Sequence, residues 1–361
     1  MSQFIMVLIW VTVLAVLSDA LPIYHIEYQN GRACRRINLP FAVIAFLPVF
    51  LLASMGPAIS DTPVYLSSFQ SLPNNLQELA GYFDEDATGR GFTVFGVLIK
   101  SIWGDHVQSY RFALALVHSI PLILVFRKYS DDYLMSLFLF VASGCHIAYM
   151  MNGIRQFMAC TIIFAATPLI VRRKYLPAVM VILLASTIHT SALIMLPVIF
   201  IVTGRAWNER TILYILVIIV LLGILSRNIG FMDYLLQGTE YEGAVETWIE
   251  LGDDGTNPIR VLVNAFPMIM AFLGRRYIEE DDDPAINVCT NMSVITTGLY
   301  LVSMITSGVM LGRLPIYTSL YNYILLPYLI KTMFNRGTSR ILNVLMIAFY
   351  LTYYWVQYGG L

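Results

Sequence analysis

The chain has 361 residues, of which 58% are hydrophobic and 12% charged, and its formal net charge is −1. Soluble domains carry about 25% charged residues, so this composition excludes an ordinary soluble globular protein and requires lipid as its solvent. The sequence contains no basic stripe, so nucleic acid is not expected as a partner.

Apolar segments recur along the whole chain. In hydrocarbon, only helices and closed barrels satisfy their backbone hydrogen bonds. Apolar segments as long and continuous as these predict helices rather than the short alternating strands of a barrel. The expected fold class is an all-α integral membrane protein with about 11–12 transmembrane or half-membrane helices, and a GT-C-like arrangement is one option. No linker divides the segments, so residues 1–361 are expected to form a single polytopic domain with larger outer loops at about 58–106 and 227–258. The apolar segments cover about residues 4–22, 39–59, 107–126, 133–151, 157–171, 176–203, 211–226, 259–274, 287–309, 315–330 and 341–357.

The first apolar segment ends in small residues, Ser18-Asp19-Ala20, as a signal peptide does, but no Lys or Arg precedes it. Arg32, Arg35 and Arg36 follow it instead. The positive-inside rule therefore predicts an amino terminus outside the cell and these arginines in the cytoplasm. Continued along the basic loops, the same rule also places the carboxyl terminus outside.

Residues 175–204 are apolar between basic residues on both flanks, with Arg205 directly following. One straight helix of this length would span about 45 Å and two short helices about 21 Å each, against a hydrocarbon core of about 30 Å. A single crossing would invert the later basic loops, so we expect two short helices that meet near His189, with Thr190 or Ser191 capping the second. An ionisable residue at such a break is a functional candidate. The alternative is a neutral histidine that is hydrogen-bonded between helices.

Both predicted outer loops are acidic, whereas four arginines are expected at or just inside the outer ends of helices. This distribution fits a neutral or hydrated polymer in the loops and an anionic group at the membrane surface. Guanidinium groups bind phosphate oxygens bidentately, so a lipid-linked phosphate or pyrophosphate is the natural candidate. The alternative is that the arginines extend to lipid headgroups. The four are Arg111, Arg155, Arg260 and Arg313.

Four sequence blocks carry a family resemblance: DTPVY (61–65), NGIRQFMA (152–159), ASTIHTSALIMLP (185–197) and GRLPIYTSLYNYILLP (312–327). In order and spacing they resemble the EpsG family, the Wzy-type polymerases of bacterial exopolysaccharide and O-antigen. The resemblance implies polymerisation of undecaprenyl-pyrophosphate-linked oligosaccharide repeats on the outer face of the bacterial cytoplasmic membrane. Members usually carry an arginine shortly before the first block, and this chain has none there. Arg111 and Arg155 are the candidates to supply that phosphate contact.

In the implied reaction, a sugar hydroxyl attacks the anomeric carbon of another lipid-linked chain and expels undecaprenyl pyrophosphate. The hydroxyl needs a base and the leaving group needs positive charge. Asp61 and His189 remain alternatives for the base. No cofactor is expected, and no metal-ligand spacing argues for a metal ion. The pyrophosphate is assigned to Arg155, Arg313 and Arg111, and further substrate contacts to Gln156, Tyr65, Tyr317 and Arg260.

The expected partners are the lipid-linked oligosaccharides, the lipid bilayer and, as a further candidate, a chain-length regulator. The rival function is a polysaccharide or lipid-linked-sugar transporter, since transporters use broken helices at mid-membrane. Against it, the sequence shows no repeat, and two long acidic outer loops are unexpected in a simple carrier.

Overall fold

The computed structural model describes residues 2–29, 32–83, 89–225, 250 and 252–358. Packing divides the chain into two compact units, one formed by residues 1–196 with 330–361 and the other by residues 197–329. The α-helices are α1 (Ser2–Leu17), α2 (Leu39–Met55), α3 (Thr62–Ser71), α4 (Arg90–Trp103), α5 (Val107–Tyr129), α6 (Tyr133–Ala142), α7 (Cys145–Met151), α8 (Ile154–Ala165), α9 (Thr167–Val171), α10 (Tyr175–Ile188), α11 (Met195–Val202), α12 (Glu209–Leu225), α13 (Pro258–Leu273), α14 (Arg275–Asp281), α15 (Pro284–Met304), α16 (Ile316–Ser319), α17 (Asn322–Met333) and α18 (Arg336–Tyr358). Two strands, β1 (Tyr24–Gln29) and β2 (Arg32–Ile37), and short 3-10 helices at Glu78–Gly81, Thr190–Ile194 and Leu311–Arg313 complete the described elements.

The helices follow the predicted apolar segments, but most are too short to cross a membrane as single straight helices. Within the described residues, α5 and α15 are long and apolar enough to do so. Two bent pairs raise this number to four if each pair is one span: α6 with α7, bent by 71°, and α13 with α14, bent by 67°. The prediction was of about 11–12 transmembrane or half-membrane helices. By length and composition, the described helices reach that number only if the shorter apolar helices are counted as half-membrane helices or as members of pairs.

Helix α6 lies at the centre of the first unit, and all of its residues are buried. Apart from Tyr133 and Ser136 its side chains are apolar, as expected of a helix enclosed by others. Phe140 on α6 packs near Phe46 of α2 and Phe126 of α5, with ring centroids 6.2 and 6.3 Å apart. The Tyr133 hydroxyl donates to the Ala42 carbonyl at 3.0 Å, which satisfies this buried polar group.

The two strands form an antiparallel hairpin in which Tyr24 pairs with Ile37 and Gln29 pairs with Arg32. The all-α prediction is wrong at this point. The sequence between the strands is Asn30-Gly31, which is the strongest short-range hairpin signal when strand-forming residues flank it. Apolar patterning alone misses so short a sheet.

A buried ion pair joins this hairpin to the loop between α5 and α6. The Arg36 guanidinium lies 3.2 Å from Asp131, and both side chains are almost fully buried, at 4% and 3% exposure. Arg36 also donates to the Ser130 carbonyl at 2.8 Å, and Lys331 lies 3.5 Å from the second Asp131 oxygen. The additional partners offset part of the desolvation of the buried charges.

In the second unit, two asparagines of the long helix α15 hold the turn before α12. Asn287 Oδ1 accepts from the Ala206 amide, and Asn291 Oδ1 accepts from the Trp207 amide, both at 3.0 Å. The Asn291 amide also donates to the Val202 and Arg205 carbonyls at 3.0 Å. These bonds give hydrogen-bond partners to backbone amides and carbonyls of the turn that helix hydrogen bonds do not satisfy.

The Asp253 carboxylate organises another loop of the second unit. It accepts from the Ser307 hydroxyl at 2.6 Å and from the Gly308, Val309 and Gly255 amides at 2.9–3.1 Å. Burial raises the pKa of this carboxyl, but the four hydrogen bonds outweigh burial and hold the pKa below its ordinary value.

Large apolar side chains cover the outer surface of several helices. On α12, Leu213, Ile219 and Val220 are each about 60% exposed, and on α10, Leu176 is 74% exposed. Soluble proteins rarely expose such continuous apolar surface. The described helices therefore have the surface of a membrane protein.

Candidate functional site

A cavity of about 410 Å³ in the first unit brings together three of the residues selected from sequence, Asp61, Tyr65 and Arg155. This volume lies within the usual range of small-molecule sites, about 300–1,000 Å³. The described residues that line it are Asp61, Val64, Tyr65, Ser68, Phe69, Leu72, Tyr82, Phe92, Thr93, Tyr110 and Arg155.

Local sequence explains why Asp61 and Arg155 reach the same cavity. Asp61 immediately precedes α3, and the Thr62 hydroxyl donates to the carbonyl of Met151, the last residue of α7. Gly153 then adopts φ +80°, a left-handed conformation that glycine permits, and α8 begins directly after it. The start of α3 is thus bonded to the turn that presents Arg155.

The Arg155 guanidinium has no hydrogen bond or ion pair to the described part of the chain, and its Nε is buried. It lies against Gly89, the residue before α4, where an added Cβ would be only 2.5 Å from Arg155 Nη2. Gly89 has φ +72°, so both its backbone conformation and this close approach favour glycine. The guanidinium is therefore held at the cavity with its donors available to an anionic ligand.

Aromatic rings form much of the cavity wall. Tyr65 meets Phe92 edge to face at 5.7 Å, and Phe69 stacks on Tyr110 with centroids 4.2 Å apart. Next to this wall, buried Lys100 donates to the Gln70 and Leu72 carbonyls at 2.7 and 2.8 Å. Lys100 thus caps the carboxyl end of α3 and supports the wall.

The predicted helix break near His189 is confirmed. Helix α10 ends at Ile188, His189 is extended, and a 3-10 turn begins at Thr190. The predicted capping by Thr190 or Ser191 is wrong, because His189 itself occupies the cap position and makes no side-chain cap bond. The Ser191 hydroxyl is instead directed at the imidazole.

His189 connects to α8 through a hydrogen-bonded chain. Its Nδ1 lies 2.7 Å from Ser191 Oγ, which accepts from Gln156 Nε2 at 3.3 Å. Gln156 is buried and directly follows Arg155. His189 is not among the described lining residues of the cavity, but this chain couples it to the helix that carries Arg155. Whether Asp61 or His189 is the base stays a prediction.

Arg111 lies outside this cavity in the described structure. Its Nη2 donates to the Gly56 carbonyl at 2.5 Å, and its side chain lines a separate cavity of about 20 Å³. Sequence reasoning missed His118, which is buried and lines the same small cavity. Its spacing of seven residues from Arg111 on α5, which places both on one helix face, was the available signal.

The remaining candidates lie in the second unit. Arg260, on α13, has its guanidinium carbon 5.7 Å from the Tyr300 ring centroid. Arg313 is exposed in a 3-10 turn, whereas Tyr317 on α16 is buried. Their assigned contacts with substrate stay predictions. Much of the predicted outer loop at 227–258 and the acidic residues 84–86 lie outside the described residues. Within the described residues, no group of three or more His, Cys, Asp or Glu side chains is placed to hold a metal ion.

These features define a helical membrane protein with a ligand-sized, aromatic-lined cavity that carries one carboxylate and one guanidinium among its described residues. Residues 39–359 match the family model of the EpsG family, and the chain belongs to that family. The resemblance predicted from the four sequence blocks is thereby confirmed. No curated protein and no solved structure shows a significant match to the chain.

Proposed function

We propose that this EpsG-family protein polymerises undecaprenyl-pyrophosphate-linked oligosaccharide repeats, as in exopolysaccharide or O-antigen synthesis. The observation that carries the proposal is the cavity in which Asp61 and Arg155 meet aromatic walls. Glycosyl transfer from a lipid pyrophosphate needs a base, positive charge at the leaving group and a surface for the sugar. The cavity has a side chain suited to each role.

The reaction forms one bond and breaks another. An acceptor sugar hydroxyl attacks the anomeric carbon of the donor, the bond from that carbon to the pyrophosphate oxygen breaks, and undecaprenyl pyrophosphate leaves. Asp61 is the preferred proton acceptor, because its exposed carboxylate lines the cavity and forms no ion pair within the described residues. Arg155 neutralises the charge that develops on the departing pyrophosphate. No nucleotide is required, since the donor is already activated.

The proposed role of His189 is to position Arg155. Its imidazole is linked through Ser191 to Gln156, the neighbour of Arg155 on α8. A base would instead have to face the acceptor hydroxyl directly. In this account the active face is the outer face of the bacterial cytoplasmic membrane, and both termini are outside.

Reconstitution tests the proposal. Purified protein in liposomes, given lipid-linked repeats, should produce a ladder of glycolipids that grows by whole repeats. Movement of unextended repeats between leaflets, without a ladder, would contradict polymerisation and support the transporter alternative.

The two base candidates separate in the same assay. Asp61→Asn removes basicity with little change in shape, so it should abolish the ladder. His189→Gln keeps hydrogen-bonding capacity, so it should retain most activity if His189 only positions Arg155. Loss of the ladder in His189→Gln together with full activity in Asp61→Asn would exchange the two roles.

A further inference from the structure

We propose that the first-unit cavity is the acceptor-sugar subsite, that it takes an uncharged sugar ring, and that this ring stacks on Tyr82. This inference rests on the proposed polymerase function and specifies the substrate class of the same site. Neither Tyr82 nor the charge of the sugar follows from the family match.

Tyr82 differs from the other described aromatic residues of the cavity in its exposure. Tyr110 and Phe69 are each 1% exposed and stack on one another, so both belong to the wall. Tyr65 is half-buried against Phe92. Tyr82 lines the same cavity but is 44% exposed. A large ring that is left open at a ligand-sized cavity is suited to contact with a ligand.

The backbone at Tyr82 is fixed by a hydrogen bond, and its ring contacts a second aromatic ring. Its amide donates to the Leu79 carbonyl at 3.1 Å, which closes the 3-10 turn before it. The ring meets Phe83 edge to face at 6.4 Å. Tyrosine provides a rigid amphipathic surface at low entropic cost, and its face suits the apolar C–H face of a pyranose.

The charged groups of the described lining favour an uncharged sugar over an acidic one. Arg155 is its guanidinium and Asp61 its carboxylate, while Ser68 and Thr93 contribute neutral hydroxyls. In the proposed reaction Arg155 is engaged with pyrophosphate, so an acidic sugar would meet Asp61 with no second cation among the described lining residues. A neutral ring can use the hydroxyls and the aromatic face without this repulsion.

The first experiment measures acceptor binding in the absence of donor, so that no transfer takes place. The probe is the soluble oligosaccharide that mild acid releases from the lipid-linked repeats of the producing strain, titrated calorimetrically into the full-length protein in detergent. Tyr82→Ala should weaken binding by about fivefold or more, and Tyr82→Phe should stay within about twofold of wild type. The control is Tyr28→Ala on the hairpin, where the side chain is 76% exposed, and it should have no effect. Unchanged binding in Tyr82→Ala, or an equal loss in Tyr82→Phe, would overturn the stacking assignment.

The second experiment tests the charge of the sugar. The same oligosaccharide, with its primary alcohols oxidised to carboxylates, should bind wild type about tenfold more weakly than the untreated probe. Ser68→Lys adds a cation to the lining, so in this variant the affinities for the oxidised and the untreated oligosaccharide should differ less than in wild type. Equal binding of both probes to wild type would overturn the uncharged-ring assignment. Failure of the polymerase proposal would appear separately, as a wild-type protein that makes no ladder.

Discussion

Replacement of Arg155 by lysine tests the phosphate-binding assignment, because lysine keeps the positive charge and loses the planar fork. Arg155 Nε has no hydrogen-bond partner among the described residues, so the substitution removes no hydrogen bond between this atom and the described fold. A hydrogen bond to a charged group contributes about 1.5–3 kcal/mol, and about 1.4 kcal/mol corresponds to a tenfold change in rate. We therefore expect polymerisation by Arg155→Lys to fall by roughly tenfold or more.

The assay is the initial rate of ladder formation in liposomes at equal protein abundance, with thermal unfolding followed in parallel. Arg205→Lys is the matched control, because the Arg205 side chain is 83% exposed and its one ion pair among the described residues is a surface pair with Asp282 at 3.4 Å. Such pairs contribute about 0–1 kcal/mol, so this variant should be nearly silent. Equal losses at Arg155 and Arg205 would refute the argument that the Arg155 fork binds the leaving group.

Three further predictions concern the contacts that support the site and the fold. Gly89→Ala should lower activity several-fold while the fold is kept, because the new Cβ would displace the flexible end of Arg155; rates and thermal unfolding check this. Asp131→Asn should reduce the free energy of unfolding by about 3–5 kcal/mol, since it leaves the buried Arg36 charge without its carboxylate; denaturant titration in detergent checks this. The pKa of Asp253 is lowered in the fold, so its ionised carboxylate stabilises the folded protein at pH values above the ordinary aspartate pKa of about 3.9. This contribution to stability is lost as the pH falls through the folded pKa, and melting temperatures from pH 3 to 7 check this.

Each of these predictions has a control. Gly252→Ala shares a positive φ, +64°, but its Cβ would meet open space, so activity should be kept. Asp19→Asn breaks an ion pair with Arg35 in which Asp19 is 45% exposed, and it should cost much less than Asp131→Asn. In Asp253→Asn the added loss of stability at low pH should disappear. If Asp253→Asn lost melting temperature at low pH as wild type does, the argument about the Asp253 pKa would be contradicted. Equal losses in the free energy of unfolding at Asp19 and Asp131 would contradict the argument about the buried ion pair.

Much of the helical architecture follows from apolar patterning, because each long apolar segment must satisfy its own backbone in lipid. The break at His189 was also predictable, since basic residues flank a segment whose length suits neither one span nor two. The hairpin was missed, because its two six-residue strands are too short and too polar to form an apolar segment, although the Asn30-Gly31 sequence between them was an available local signal. Its stability depends in part on the distant pair between Arg36 and Asp131, which no local pattern indicates.

The site was predicted in its residue types more than in its geometry. Sequence selected Asp61, Tyr65 and Arg155, which the fold places around one cavity. It did not select Tyr82 or Gly89, because an exposed tyrosine and a loop glycine have no distinctive pattern until the fold brings them to the cavity. The approach of Gly89 to Arg155 joins residues that are widely separated along the chain, so only tertiary structure reveals it.

The stoichiometry of lipid release tests the central claim most directly. Wild-type protein in liposomes is given repeats labelled in the lipid pyrophosphate, and free undecaprenyl pyrophosphate is counted against new glycosidic bonds. The proposed reaction predicts one lipid pyrophosphate released for each repeat added, with both quantities lost together in Asp61→Asn. Chain growth without release of undecaprenyl pyrophosphate would contradict the proposed reaction. Movement of lipid-linked repeats between leaflets, with neither chain growth nor lipid release, would also contradict it.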